Sequence, residues 1–211
     1  MIELLAVIGL ITILAGGFSF AVLQLGSGSM EGAERLAGSQ FAAARNQALL
    51  KGRDVRVIVN NNAQDGERFR REIGIVTNTA EPGEPPQWVA FGQGEILPGN
   101  HFFVPEVSLA NGSTEPDTMR LVFPSAEPRA EGSGDPYYFF EYNGNGIAED
   151  PGAQFVIEPG RVEPSGSSFE VVSSGGDGPE RKSRWGGFLI LRIGGILYFP
   201  DGESILGGGS G

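Results

Sequence analysis

Glu3 is a charged side chain at the head of a long apolar run. From Leu4 to Leu23 the only polar side chains are Thr12 and Ser19. The run is long enough for a helix to span a bilayer core of about 30 Å. A carboxylate at the edge of hydrocarbon is costly unless a partner neutralises it. Glu3 is therefore either an incidental flank of a plain membrane anchor or a recognition group.

A glycine-rich loop carries oxygen-bearing side chains that could bind a calcium ion. These side chains are Asn143, Asn145, Glu149 and Asp150. Calcium takes oxygen ligands of this kind from loops. The loop lacks the leading aspartates of a calcium hand, however, and Asn and Gly favour turns on their own. We expect a hairpin turn with an acidic end and no cofactor, with calcium binding as the alternative.

Arg181, Lys182 and Arg184 form a basic cluster, which Trp185 follows. Such a cluster could contact a nucleic acid, although so few charges would bind weakly and with strong salt dependence. The formal net charge of the chain is −11, and an acidic protein repels phosphate backbones. We interpret the cluster as a solvated loop and expect no nucleic-acid partner.

The sequence offers little catalytic chemistry. His101 is the only histidine, and it stands beside a predicted strand. There is no nucleophile elbow and no phosphate-binding glycine loop after a strand. Cysteine is absent, which excludes disulfides and thiolate metal sites. We expect a protein that is not an enzyme.

A second helical segment follows the apolar run. The break between them, Gly26-Ser27-Gly28-Ser29, is a place where a helix can loosen. From Glu31 to Lys51 apolar residues recur at about 3.6-residue spacing, and Gly52 is suited to cap the helix. The apolar stripe consists of Leu36, Phe41, Ala44, Ala48 and Leu49. Because such a stripe usually packs on a core, we expect the helix to cover a sheet through Leu36, Phe41 and Ala48.

Bursts of Val, Ile and Phe between turn residues predict a β-rich remainder. The candidate strands are Val55–Asn60, Phe69–Thr77, Trp88–Gly92, Phe102–Val104, Arg120–Phe123, Tyr137–Tyr142, Gln154–Glu158, Phe169–Ser173 and Gly187–Phe199. No helical pattern separates them, which favours antiparallel pairing and an α+β arrangement.

Two stretches resemble the type IV pilins and the type II secretion pseudopilins. The first is Ile2-Glu3-Leu4-Leu5 with the apolar residues that follow it. The second runs from Phe41 to Val57 and is similar to the GspH/FimT family, in which a helix passes through a basic-Gly pair into the first strand. The final strand is similar in outline, but Ile196 follows Gly195 where the family usually has arginine.

The resemblance implies a pilin-like α+β fold. In it a long N-terminal helix, transmembrane in its first half and amphipathic in its second, packs on an antiparallel sheet domain. The implied division is residues 1–25 for the transmembrane half and 26–52 for the amphipathic half. Residues 53–206 would form the periplasmic β-rich domain, and 207–211 a flexible tail.

The resemblance also implies a structural role as a minor pilin or pseudopilin. The chain would be a single-pass protein of the bacterial inner membrane that joins a type II secretion pseudopilus or a type IV pilus. Its partners would be other pilins or pseudopilins, the inner membrane and a prepilin peptidase. Glu3 would pair with the N-terminal ammonium of a neighbouring subunit. Family members carry a basic leader and further residues before this glutamate, whereas Met1 and Ile2 alone precede it here.

A second class of function remains open. A membrane-tethered periplasmic β-domain that binds an unidentified ligand would share the apolar run. Glu3 separates the two interpretations, because a simple tether has no use for a carboxylate at that place.

Overall fold

The computed structural model of the protein describes residues 29–108, 116–175 and 179–199. Within those ranges it contains one α-helix, twelve β-strands and two short 3-10 helices. All pairings between these strands are antiparallel.

Helix α1 spans Met30–Lys51 and is capped at both ends. Ser29 is extended, and its hydroxyl accepts a hydrogen bond from the Gly32 N–H at 3.1 Å. A serine in this position starts a helix, because it satisfies one of the free N–H groups of the first turn. Gly52 adopts a left-handed φ of 61°, and its N–H donates to the Ala48 carbonyl at 2.8 Å. This cap ends the helix and turns the chain into the first strand.

The buried face of α1 consists of small residues around a single phenylalanine. Its buried residues are Ala33, Ala37, Gly38, Phe41, Ala44 and Ala48. At Gly38 the contact is so close that an added Cβ would lie 2.1 Å from the Tyr198 hydroxyl oxygen. The small side chains thus let the helix backbone approach the strands closely, while Phe41 fills the space between them.

Seven strands form sheet 1. They are β1 (Val55–Asn60), β2 (Glu72–Asn78), β3 (Gln87–Ala90), β4 (Glu95–Ile96), β6 (Thr118–Leu121), β7 (Arg129–Ala130) and β8 (Asp135–Tyr142). Their order is β6-β8-β1-β2-β3-β7, and β4 also pairs with β2. In the middle of the sheet Val57 lies opposite Ile75 on one side and Phe140 on the other. Strand β1 is buried on both faces, which explains its nearly continuous apolar sequence.

Five strands form sheet 2. They are β5 (His101–Phe103), β9 (Gln154–Ser165), β10 (Ser168–Ser173), β11 (Gly186–Ile190) and β12 (Ile196–Tyr198). Their order is β10-β9-β11-β12, and β5 also pairs with β9. The long strand β9 therefore organises the sheet, because three other strands bond to it.

Helix α1 and one face of each sheet enclose the main core. The Phe41 ring lies at its centre, with centroid distances of 5.3 Å to Phe140 in sheet 1 and 5.1 Å to Phe155 in sheet 2. These rings meet edge to face, the arrangement that aromatic quadrupoles favour. A second cluster, which includes Ile58 and Trp88, covers the other face of sheet 1.

The predicted fold class is wrong in its architecture. We expected a long N-terminal helix packed on an antiparallel sheet, whereas the described structure is mostly β, with two sheets and one helix of 22 residues. The helix is short because the Ser29 cap starts it at Met30. The apolar bursts of the sequence divide between two sheets, since the strands that follow Gln154 pair with one another around β9.

None of the residues that the structure describes belongs to a helix long and apolar enough to cross a membrane. This finding contradicts the predicted single-pass inner-membrane location with a periplasmic C-terminal domain, together with the transmembrane pilin-like character. Helix α1 carries the exposed ion pair Glu31–Arg35 on its outer face, as expected of a helix with one solvated side. The predicted transmembrane half, residues 1–25, and the predicted tail, residues 207–211, lie outside the described residues.

Candidate functional site

A groove of about 370 Å³ lies between the C-terminal end of α1 and the ends of β2 and β3. Its lining consists of Gln47, Lys51, Arg53, Thr77, Asn78, Thr79, Val89, Ala90 and Phe91. Thr77 lies opposite Val89 in the sheet. Because side chains alternate along strands, Thr77 shares the helix-facing side with Ile75. The volume falls within the range of about 300–1,000 Å³ that is typical of small-molecule sites.

Two cationic side chains stand at this groove. Lys51 is exposed, and its ammonium has no carboxylate partner within the described ranges. Arg53 donates to the carbonyl of Ala80 and, at 3.1 Å, to the carboxylate of Glu81. Lys51 is therefore the cation that remains available to a bound molecule.

The groove also holds a buried hydroxyl without a partner. Thr77 is 8% exposed, and its Oγ1 atom makes no hydrogen bond to any described residue. By contrast, the Thr79 hydroxyl donates to the Gln87 carbonyl at 3.1 Å. A buried hydroxyl without a hydrogen bond is costly, so the Thr77 hydroxyl is a candidate to hydrogen-bond a molecule bound in the groove. Val89 and the half-exposed Phe91 give the groove an apolar side.

A second polar cluster lies buried at one end of β1. Asn60 donates through Nδ2 to the Glu72 carboxylate at 3.1 Å, and Arg68 lies 3.8 Å from the other oxygen of that carboxylate. Burial raises the pKa of Glu72. The nearby Tyr137 is buried as well, and burial, Glu72 and Asp135 raise the pKa of its hydroxyl. Asn60, Glu72 and Tyr137 are all buried, so this cluster belongs to the interior of the fold.

The Arg56 guanidinium occupies an aromatic slot on sheet 1. It lies 4.3 Å from the ring centroid of Trp88 and 3.9 Å from that of Phe139. It also forms ion pairs with Glu131 and, at 2.5 Å, with Glu141. Stacking of this kind stabilises a desolvated cation. Sequence analysis did not single out Arg56, although a charged residue within a strand that is otherwise apolar signals an internal partner.

The four calcium candidates form a loop that closes on itself. Asn143 donates to Glu149 at 3.0 Å, and its side-chain oxygen accepts from the N–H groups of Asn145 and Ile147. Asp150 is exposed at the end of the loop. Throughout the described part of the chain, no group of three or more His, Asp or Glu residues is placed to hold a metal ion. In this loop the Asn143 side chain is thus engaged with Glu149 and with the backbone of the turn.

The basic cluster divides into one partly buried side chain, Arg181, and two exposed ones. Arg181 donates to both carboxylate oxygens of Glu158, at 2.8 and 2.7 Å, and the Trp185 indole N–H donates to the same carboxylate at 3.1 Å. Arg184 donates to the Ser174 carbonyl at 3.3 Å, and Lys182 is exposed. The partner, Glu158, is not among the residues predicted from the sequence. An acid directly after the apolar run 155–157 is a signal that could have identified it.

The remaining candidates are placed as follows. Phe41 and Ala48 are fully buried, and Leu36 is partly buried against the same core. Leu49, which the periodic stripe also included, is exposed. Glu3 lies outside the described residues.

Comparison with protein-family models, with curated proteins and with solved structures finds no match to this chain.

Proposed function

We propose that the protein is a structural subunit of a pilin-like filament. The observation that carries this proposal is Glu3 at the head of the apolar run. Where such runs pack against one another, a carboxylate is stable only beside a cation, because an unpaired desolvated charge is strongly unfavourable. The N-terminal ammonium of a neighbouring subunit is a cation that every copy of the chain can supply.

Exposed apolar side chains support an assembling subunit. Leu50, in the last turn of α1, is 81% exposed, and Ile193, in the turn between β11 and β12, is 69% exposed. Leu49 and Leu197 are exposed as well. Large exposed apolar side chains that lie together are typical of contact surfaces, and Leu49 and Leu50 are neighbours in the chain. A filament would provide neighbours that cover them.

The test replaces Glu3 and measures assembly. The variants Glu3→Gln and Glu3→Leu, expressed from the gene in its own host, are quantified in sheared filament fractions relative to the total protein. We expect incorporation to fall at least about tenfold for both, because a neighbour's ammonium would be left without its partner.

Glu31→Gln is the matched control. Glu31 is exposed and pairs with Arg35 one helical turn away, an interaction worth only about 0.3–0.5 kcal/mol. This variant should assemble as the wild type does. Wild-type incorporation of both Glu3 variants would refute the proposal.

A ligand-binding module is the second candidate function. The groove beside α1 favours it, because the groove combines a free cation, an unsatisfied hydroxyl and an apolar side. Binding of a small molecule to the groove, measured on the unassembled chain, tests this function independently of filament formation.

A further inference from the structure

We propose that the groove between α1 and sheet 1 binds a small organic acid, with a carboxylate at Lys51 and Thr77 and an apolar body against Val89 and Phe91. This inference goes beyond filament assembly, and it deepens the second candidate function by naming the class of ligand. It rests on the groove alone.

The charge of the groove selects an anion. The chain as a whole has a formal net charge of −11, yet the side chains that line this groove include two cations and no carboxylate. Glu81 pairs with Arg53 from outside the lining and leaves Lys51 without a counter-charge among the described residues. A single available ammonium balances the charge of a monoanionic carboxylate, whereas a phosphate group carries about 1.5 to 2 negative charges at pH 7.

The Thr77 hydroxyl supplies the second polar contact. It is buried, it lines the groove, and it lacks a hydrogen-bond partner within the described structure. A hydroxyl can donate to a carboxylate oxygen. A ligand oxygen in this position would give a hydrogen bond to a hydroxyl that has none within the described residues. That gain is larger than the gain from replacing a hydrogen bond already made to water.

The apolar side of the groove selects the body of the acid. Val89 and Phe91 succeed each other on the helix-facing side of β3 and its extension, and the Phe91 side chain is 50% exposed. An apolar group that covers a half-exposed phenylalanine removes apolar surface from water, which makes binding more favourable. An aromatic or branched aliphatic acid therefore matches the site better than a small polar acid does.

The experiment titrates the full chain with 3-phenylpropionate and follows backbone amide shifts by NMR. Saturable shifts should be centred on residues 77–79 and 89–91. The neutral amide 3-phenylpropanamide has the same body without the charge, and we expect it to bind about fivefold more weakly. Equal binding of the acid and the amide, or shifts centred elsewhere, would overturn the proposal.

Two substitutions test the polar contacts. Lys51→Gln should weaken 3-phenylpropionate about fivefold and leave the amide unchanged. Thr77→Val keeps the side-chain shape, removes the unsatisfied hydroxyl, and should weaken the acid about threefold to tenfold without lowering the unfolding midpoint. A purely structural threonine would leave the affinity unchanged, and that result would contradict the assignment.

Lys182→Gln is the matched control. Lys182 is exposed on the 3-10 segment of residues 179–184 and takes no part in the groove lining. Lys182→Gln removes the same charge from the chain as Lys51→Gln does, but it leaves the groove lining intact. It should therefore not change the affinity for 3-phenylpropionate. An equal loss of affinity in Lys182→Gln and Lys51→Gln would show that the net charge, and not the groove, attracts the acid, and would overturn the proposal.

Discussion

Arg181 and Glu158 form a doubly hydrogen-bonded ion pair on sheet 2. The Arg181 Nε lies 2.8 Å from one carboxylate oxygen, and its Nη2 lies 2.7 Å from the other. Glu158 is 3% exposed, and the Trp185 indole supplies a third donor. Burial removes the water that hydrates this carboxylate in the unfolded chain, and the three protein donors replace it. The pair thus attaches the segment that precedes β11 to the strand β9.

Arg181→Gln should lower the free energy of unfolding by about 3 kcal/mol, because it leaves a buried carboxylate without its cation. Urea denaturation followed by tryptophan fluorescence measures the change. The double variant Glu158→Gln with Arg181→Gln should recover part of the loss, since it removes the buried charge as well. Lys182→Gln, one residue along the chain, should stay within about 0.5 kcal/mol of the wild type.

Phe41→Ala should destabilise the protein by about 3–5 kcal/mol, because it opens a cavity where α1 meets both sheets. Phe41→Asp should prevent folding, since it places an unpaired charge among the rings of Phe140 and Phe155. Circular dichroism during thermal unfolding checks both variants. Ala42→Asp introduces the same charge one position away, at an exposed residue, and should fold. A folded Phe41→Asp variant would contradict the placement of this core.

The helix and many strands could be predicted because their signals are local. The periodic stretch 31–51 lies within α1, and the predicted strand Val55–Asn60 has the bounds of β1. The layers could not be predicted, since alternation shows that a strand has two faces but not which strands share a sheet. The predicted strand Gly187–Phe199 illustrates this limit, because it is in fact the hairpin of β11 and β12.

The groove was beyond sequence reasoning for a similar reason. Lys51, Thr77 and Phe91 belong to the ends of a helix and of two strands, and each is unremarkable within its own segment. The ladder that pairs β2 with β3 brings Thr77 close to Phe91, and the packing of α1 on the sheet places Lys51 at the same groove. The partners of Arg56 and Arg181 are separated from them in the chain in the same way. A charged side chain in an apolar segment indicates that it has a partner, but the topology determines which residue that partner is.

Glu72 should make stability depend on pH. Burial and the carboxylates of Asp65 and Asp135 raise its pKa above 4.5, against the opposing effects of Asn60 and Arg68. Because the folded pKa is the higher one, the folded state binds more protons, and the free energy of unfolding falls as the pH rises from 4.5 through the folded pKa. Glu72→Gln should reduce this loss of free energy of unfolding. Urea unfolding at several pH values between 4.5 and 7 measures it.

The control for this prediction is Glu67→Gln, which alters an exposed glutamate in the turn that precedes β2. Its pH dependence should match that of the wild type. If Glu72→Gln also kept the full wild-type dependence, the buried carboxylate would not be the source of the effect.

Gly187→Ala should destabilise sheet 2 by about 3 kcal/mol. Gly187 has a φ of 146°, and an added Cβ would lie 2.0 Å from the carbonyl oxygen of Phe155 on the paired strand β9. Backbone cannot yield as a flexible side chain does, so the ladder between β9 and β11 must separate. Gly195→Ala is the matched variant, because its Cβ would meet only a Leu191 methyl group at 3.8 Å, and it should be nearly neutral. Equal thermal midpoints for the two variants would show that β11 does not pass this close to β9.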